Sequence, residues 1–470
     1  MSWSGNRRNW SGSGLSEPVR GGPDAETASV VISFANAAVP SPTSGLTPVS
    51  EAPQADAASP DGSFLDGSFL DGSSPDGSSL DGSPRGTAPL DTLRALAHQT
   101  YARGDLHQAH DLQRQVIADA KACGAQAADD YLFLGLMLYS MKRLDDGIVA
   151  LRDGLSIAPD NAALHENLGV FLLGVGDMAA SIAACERALG CGSESPNVHD
   201  CLADAYNRIG RLDLSVTAGR AALEAKDRKF GTRTPLVSIP DGLPPMFNML
   251  NPAENVIAYC LWGNDPRYQV PLLENVRIQP HLFPGWSIRV YHDASVHQSY
   301  LVTLAGRGVQ LREMHLPEGQ PVHRKLLWRF DVVSDPSVKR FLCRDADSLL
   351  TVKERVAVDA WLQSHYYFHA MRDWYSHTDL LLAGMWGGVG AILPDLPTML
   401  RAYTAWRIEN DHVDQDVLTE SVWSTIRGSV LIHDSIFAPC LGSVPFPPFG
   451  ELPPGFHIGQ NAFLHFAPTP

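Results

Sequence analysis

The strongest constraint on how this chain folds is a period of 34 residues running through its middle. Gly135, Gly169 and Ala203 stand 34 apart, and the same interval links Leu134, Leu168 and Leu202, then Leu138, Leu172 and Tyr206. It returns at Gly154, Ala188 and Ala222. In each unit two runs of helical periodicity flank a short turn, at Met141-Lys142-Arg143-Leu144-Asp145, Val175-Gly176-Asp177-Met178 and Ile209-Gly210-Arg211-Leu212-Asp213. A looser unit covers Leu93 to Lys121, with Ala97 and Ala109 at the small positions and an offset of 38 to the next. No single helix pair can bury its own apolar face, so units of this kind must stack.

A helix-turn-helix unit of 34 residues with small side chains at the helix crossings resembles the tetratricopeptide repeat, and Pro159 closes the first clear unit where that family favours proline. The resemblance implies an α-helical solenoid over residues 90–228 that binds a protein or peptide partner. His165, His199 and the cysteines of this region are then expected to be packing or surface residues rather than ligands.

Ahead of the repeats, residues 1–88 are rich in Ser, Gly, Pro and Asp. A five-residue Asp-Gly-Ser unit starts at Asp61, Asp66, Asp71, Asp76 and Asp81, but its variable pairs mix Phe-Leu with Ser-Pro and Ser-Leu. No continuous apolar stripe results, and a disordered low-complexity tail is expected. The remaining length exceeds what one core usually serves. A net charge of −16 argues against nucleic-acid or anionic-membrane partners held by a general field. Seven cysteines show no Cys-x-x-Cys, and several inside apolar runs (Cys185, Cys260, Cys343) read as small buried hydrophobes of a reducing compartment. No apolar run reaches the roughly 18–20 residues of a membrane span. The run Ser29 to Phe34 follows Asp24 and Glu26 and is too short for a signal peptide, so the expected location is cytoplasmic.

Residues 229–255 form a linker studded with Pro235, Pro240, Pro244, Pro245 and Pro252, and beyond it the periodicity changes. Strands are expected at Val256 to Leu261, Ser287 to Tyr291, Val309 to Met314 and Phe341 to Cys343, with helices at Val270 to Leu282 and Lys325 to Val333. The alternation predicts a mostly parallel, Rossmann-like α/β sheet, whose ligands bind at the carboxyl ends of its strands. Trp262, Asp293 and Asp345 open the loops on that edge. Asp345-Ala346-Asp347 places two carboxylates on one side of an extended backbone. Like charges that close favour a cation between them, and a pair of hard oxygens suits Mg²⁺ or Mn²⁺. The plainer reading is an acidic turn.

Taken together, Val256 to Phe466 resembles a glycosyltransferase of the GT-A fold, and within it the glycogenin-like retaining transferases. Three segments carry the likeness: Lys325 to Phe330 ahead of Phe341 to Leu350, Leu381 to Gly388, and Asp414-Gln415-Asp416-Val417-Leu418. The resemblance implies that Asp345 and Asp347 hold Mn²⁺ or Mg²⁺ on a nucleotide-sugar donor, UDP-linked, with His433 or His457 as third ligand. Arg329 and Lys325 clamp the phosphates, and Trp262, Asp293, Arg344 and Gly384 complete the donor site. Asp414, Gln415 and Asp416 stand beside the reaction centre. If the enzyme inverts, Asp416 or Asp379 takes the proton of a protein or glycan acceptor. Trp374 or Tyr375 stacks on a sugar. Arg344 replaces an apolar residue of the family and Leu382 its asparagine, and the C-terminal His-x-Gly-x-x-Lys is echoed only at His457-Ile458-Gly459-Gln460. On this reading residues 90–228 are separable from the transferase half. The rival is a scaffold with a catalytically dead α/β domain. A nucleotidyltransferase would want a glycine-rich basic loop where Trp262-Gly263-Asn264-Asp265 stands.

Overall fold

The structure, a computed structural model, describes residues 90–404, 412–450 and 455–462. The Asp-Gly-Ser tail and Phe466 lie outside the described residues. The chain divides into two compact units, one ending at Asn167 and the other running from Leu168 onward. The division falls inside the repeats rather than at residues 229–255.

The first unit holds α1 (Leu90–Ala102), α2 (Leu106–Cys123), α3 (Ala128–Ser140) and α4 (Leu144–Ile157), and α5 (Ala162–Val175) leads into the second. The helices follow the register of a tetratricopeptide solenoid. Gly135 of α3 faces Leu151 of α4, whose Cδ2 would lie 3.2 Å from an added Cβ. In the second unit follow α6 (Met178–Gly190), α7 (Pro196–Arg208) and α8 (Leu212–Phe230). Here the crossings carry a hydrogen bond that periodicity alone does not announce. Ser181 Oγ donates to the Gly169 carbonyl at 2.8 Å and Ser215 Oγ to the Ala203 carbonyl at 2.7 Å, one repeat apart. The turn between helices needs a left-handed residue, supplied by Gly104, Gly176 and Gly210, and by Lys142 at φ 59.

The rest of the second unit is a seven-stranded sheet of β1 (Asn255–Leu261), β2 (Ser287–His292), β3 (Gln310–Glu313), β4 (Arg340–Cys343), β5 (Phe368–Arg372), β6 (Trp386–Val389) and β7 (Val430–Asp434). Their order is β3-β2-β1-β4-β6-β5-β7. β3, β2, β1 and β4 pair in parallel, β6 runs antiparallel to both β4 and β5, and β7 is parallel to β5. β1 is buried throughout, as a central parallel strand covered on both faces must be. Val256, Ala258 and Cys260 enter one core, while Ile257, Tyr259 and Leu261 enter the other. The first core also contains Leu223 and Phe230 of α8. That shared core makes the last repeat part of the sheet unit.

The helices around the sheet are α9 (Pro266–Leu282), α10 (Gln298–Ala305), α11 (Val352–Leu362) and α12 (Leu396–Ala402), with a 3-10 segment at Val322–Val333. Further on, the chain forms α13 (Val413–Val417) and runs through a π turn (Leu418–Val422) into α14 (Trp423–Ile426). Asp414 and Asp416 therefore lie in its first turn, and the capping position falls to His412, which makes no side-chain cap bond. Within the segment Leu381 to Gly388 the chain is extended only from Trp386, and Gly384 sits in the turn before it. No helix among the described residues is long and apolar enough to cross a membrane.

Candidate functional site

β1 and β4 are parallel neighbours from which the chain departs to opposite sides of the sheet, β1 toward β2 and β4 toward β6. That makes a crevice at their carboxyl ends, the place where open α/β sheets bind ligands. Arg344 N still donates to the Ala258 carbonyl at 3.0 Å, so the extended geometry of β4 carries on into the acidic pair. Ala346 is buried in the core, and the carboxylates of Asp345 and Asp347 sit close enough to repel. Burial first, and then the Asp345 charge, push the Asp347 carboxyl above the usual range despite the pull of Arg267.

Arg329, at 1% exposure, ties this edge together. Its Nη1 donates to Asp345 Oδ1 at 2.5 Å and its Nη2 to Asp414 Oδ2 at 2.5 Å. Burial pulls the guanidinium down, but Asp345, Cys260 and Asp414 carry it above its ordinary value, so it stays charged. Asp414 also accepts from the Gln415 backbone N–H at 2.9 Å, and burial, only partly offset by Arg329, pushes its carboxyl up to about 6. Gln415 Nε2 donates to His412 Nδ1 at 2.7 Å, and Asp416 is buried one turn position further on. Gly384 completes the wall: a Cβ there would overlap Asp345 Oδ2, so the glycine leaves the space that the carboxylate fills.

Beside the crevice, Lys325 Nζ bonds Asp293 Oδ2 at 2.6 Å and lies 6.0 Å from the Trp262 ring and 5.5 Å from that of Trp328. Burial works against the Asp293 charge, but Lys325 and Ser295 hold its carboxyl below the usual range. Asp293 lines a cleft of about 410 Å³ with Asn264, His292, Ser295, His297 and Glu313. Of the expected donor residues, the structure thus gathers Trp262, Asp293 and Lys325 on one flank, and Arg329, Asp345 and Gly384 on the other.

Other expected residues lie elsewhere. Arg344 is a correction: at 1% exposure it turns inward, giving Nη1 to the carbonyls of Cys343 and Trp386 and facing the buried Glu354 at 3.7 Å. It cannot reach a phosphate at the sheet edge. Asp379, expected as a candidate base, bonds Lys226 of α8 at 2.7 Å. His433 faces His369, with Nδ1 2.9 Å from its Nε2. His457 bonds the Ile458 carbonyl through Nδ1 and stacks on Trp374 at 4.8 Å. Neither histidine joins the acidic pair, since no three His, Cys, Asp or Glu side chains converge on a metal position among the described residues. Trp374 and Tyr375 pack edge to face, and the His457 segment lies close by, its Ala462 N–H on the Asp347 carbonyl at 2.7 Å.

Arg267 went unread in the sequence. From the first turn of α9, two residues past its Asp265 cap, it places Nε 3.1 Å and Nη2 2.9 Å from Asp347 Oδ2. The only available signal was a cation just after the loop that closes β1. The acidic pair thus consists of two mutually repelling, half-buried carboxylates, each held by an arginine, at the carboxyl end of β4.

No protein-family model matches the chain, and no curated protein does. Among solved structures, MamA MSR-1 C2 shares 22% identity over 30% of this chain and 79% of its own, at a TM-score of 0.27. MamA RS-1 ArsTM double mutant shares 16% over 30% and 76%, at 0.28. MamA 41-end from Desulfovibrio magneticus RS-1 shares 17% over 31% and 78%.

Proposed function

We propose that the protein is a cytoplasmic, metal-dependent glycosyltransferase of the GT-A fold that moves a sugar from a nucleotide donor, UDP-linked, to a protein or glycan acceptor. The carrying observation is the acidic pair Asp345 and Asp347 at the crevice between β1 and β4, bound through Arg329 to Asp414. Asp345 and Asp347 would hold Mn²⁺ or Mg²⁺, leaving its other positions to phosphate oxygens and water. When bound, the ion supplies Lewis-acid neutralisation of the departing nucleotide. Arg329 fixes the orientation of Asp345, and Lys325 and Arg267 supply further positive charge beside the diphosphate. Trp262 offers a ring at the mouth of β1 for the base. The burial of Asp416 and the engagement of Asp379 by Lys226 favour a retaining outcome over a general base. The tetratricopeptide repeats recruit the protein partner.

A second reading, a non-catalytic scaffold, is favoured by one observation: each carboxylate of the acidic pair already carries an arginine. The two readings part in a panel of nucleotide sugars with Mn²⁺, measuring nucleotide release by the wild type and by Asp345→Asn/Asp347→Asn. The transferase reading expects release from at least one donor and its loss in the double variant. Release that survives the double variant, or no donor bound at millimolar concentration, overturns it.

A further inference from the structure

We propose that α8, the last helix of the repeats, braces the donor crevice, with Lys226 as the positioning residue that holds the segment 378–384 against Asp345. The functional half of this proposal rests on the donor-site reading above. Lys226 is 1% exposed, and its ammonium has an acceptor for each of its three protons: Asp200 Oδ1 on α7 at 3.0 Å, the Thr378 carbonyl at 3.0 Å and Asp379 Oδ1 at 2.7 Å. A lysine so buried persists only where its charge is met on every side. The contact therefore fixes where residues 378 and 379 sit relative to α7 and α8.

From Asp379 the chain runs through Leu380 and Leu381, both fully buried in the core shared with α8, and reaches Gly384. Arg372, itself bonded to Asp434 at 2.9 Å, holds the Leu380 carbonyl at 3.2 Å along the way. The segment thus has an anchor at Lys226, a packed middle and an end whose missing Cβ admits the Asp345 carboxylate. A shift at the anchor moves Gly384 into or away from Asp345.

The next residue of α8 reaches the other wall of the crevice. Asp227 Oδ1 accepts from Trp423 Nε1 at 2.7 Å and from Arg427 Nε at 3.0 Å, and Arg427 Nη2 donates to Oδ2 at 2.7 Å. Trp423 belongs to the helical run that begins with α13 and presents Asp414 to Arg329. Successive residues of α8, Lys226 and Asp227, therefore support both segments that contact the Arg329–Asp345 pair. The last repeat is built into the site in addition to any partner it recruits.

The test uses the full chain. Removing Lys226 alone would strand two half-buried carboxylates, so the main variant is Lys226→Met/Asp200→Asn/Asp379→Asn, which keeps volume and removes all three charges. Asp379→Asn alone, which leaves Lys226 with Asp200, serves as the milder variant should the triple not fold. Amide hydrogen exchange is followed over residues 378–385, with β1 and β4 as internal reference, and Mn²⁺ affinity is read from its paramagnetic resonance signal well below the melting temperature. Exchange is expected to speed up selectively in 378–385 and Mn²⁺ affinity to fall by about tenfold, as when a partner behind a metal ligand is removed. Lys226→Arg, which retains the cation, is expected to recover part of both. Unchanged exchange in a folded variant overturns the brace, and changed exchange with unchanged Mn²⁺ affinity overturns its role at the site. A wild type that binds no Mn²⁺ overturns the donor-site reading instead, and the exchange result then decides the brace alone.

Discussion

Arg329 stands between Asp345 and Asp414, with one guanidinium nitrogen 2.5 Å from a carboxylate oxygen of each. A buried cation shared in this way joins the loop after β4 to the first turn of α13, two segments that lie 85 residues from Arg329 at the far end and 16 at the near one. Its planar fork presents one nitrogen to each carboxylate in a fixed geometry.

Arg329→Met leaves both carboxylates without their partner. The expected cost is about 3–5 kcal/mol, the range for breaking a buried ion pair from one side. Urea unfolding checks it, and Arg329→Met/Asp414→Asn should recover a good part. A single-variant loss too small to measure would contradict the bridge.

Gly384→Ala tests the close approach to Asp345. Overpacking of this kind typically costs about 1–3 kcal/mol. The displaced carboxylate should also weaken Mn²⁺ binding, while calorimetric melting remains a single transition. Wild-type Mn²⁺ affinity in the variant would show that Asp345 does not depend on that space.

The Arg344–Glu354 pair gives a dependence on pH. Burial pushes the Glu354 carboxyl up to about 7 from 4.5, outweighing the pull of Arg344. A raised acid contributes stability that is complete below its unfolded value and lost as pH rises through the folded one. Between pH 5.5 and 8.5 the wild type should therefore lose roughly 1–3 kcal/mol relative to Glu354→Gln. Parallel pH curves for the two proteins would refute it.

His433 predicts the opposite slope at acid pH. Burial pushes its imidazole down to about 4, and burial holds its neighbour His369 well below the usual range as well. Stability is then present above about 6.5 and lost as pH falls toward 4, because unfolding lets both rings protonate. Melting temperatures of the wild type and of His433→Gln across that window should converge at low pH; a constant gap would count against the neutral pair.

A fragment of residues 229–470 should not fold, since it lacks Leu223, Lys226 and Asp227, whereas one of residues 162–470 should. Circular dichroism and the dispersion of amide NMR signals distinguish the two. A native-like 229–470 fragment would restore the separable transferase half read from the sequence.

Much of the architecture was legible because it is written in short-range periodicity. The interval of 34 residues is a packing register, and the structure repeats it in its left-handed turns and in the paired bonds of Ser181 and Ser215. β1 and β4 read as strands because each is a compact apolar run buried on both faces. Parity alone put Asp345 and Asp347 on one side of the chain.

By itself, then, the sequence determined the helix pairs, the parallel strands β1 to β4 and the acidic pair, each set by the spacing of side chains along a few turns or a single strand. Only the tertiary structure decided what those carboxylates touch. Arg267 meets Asp347 across 80 residues and Lys226 meets Asp379 across 153, while Arg344, next to the acidic pair in sequence, turns inward to Glu354. The physical reason is that a buried charge must find a partner wherever the fold supplies one. Local periodicity carries no record of which distant residue that will be.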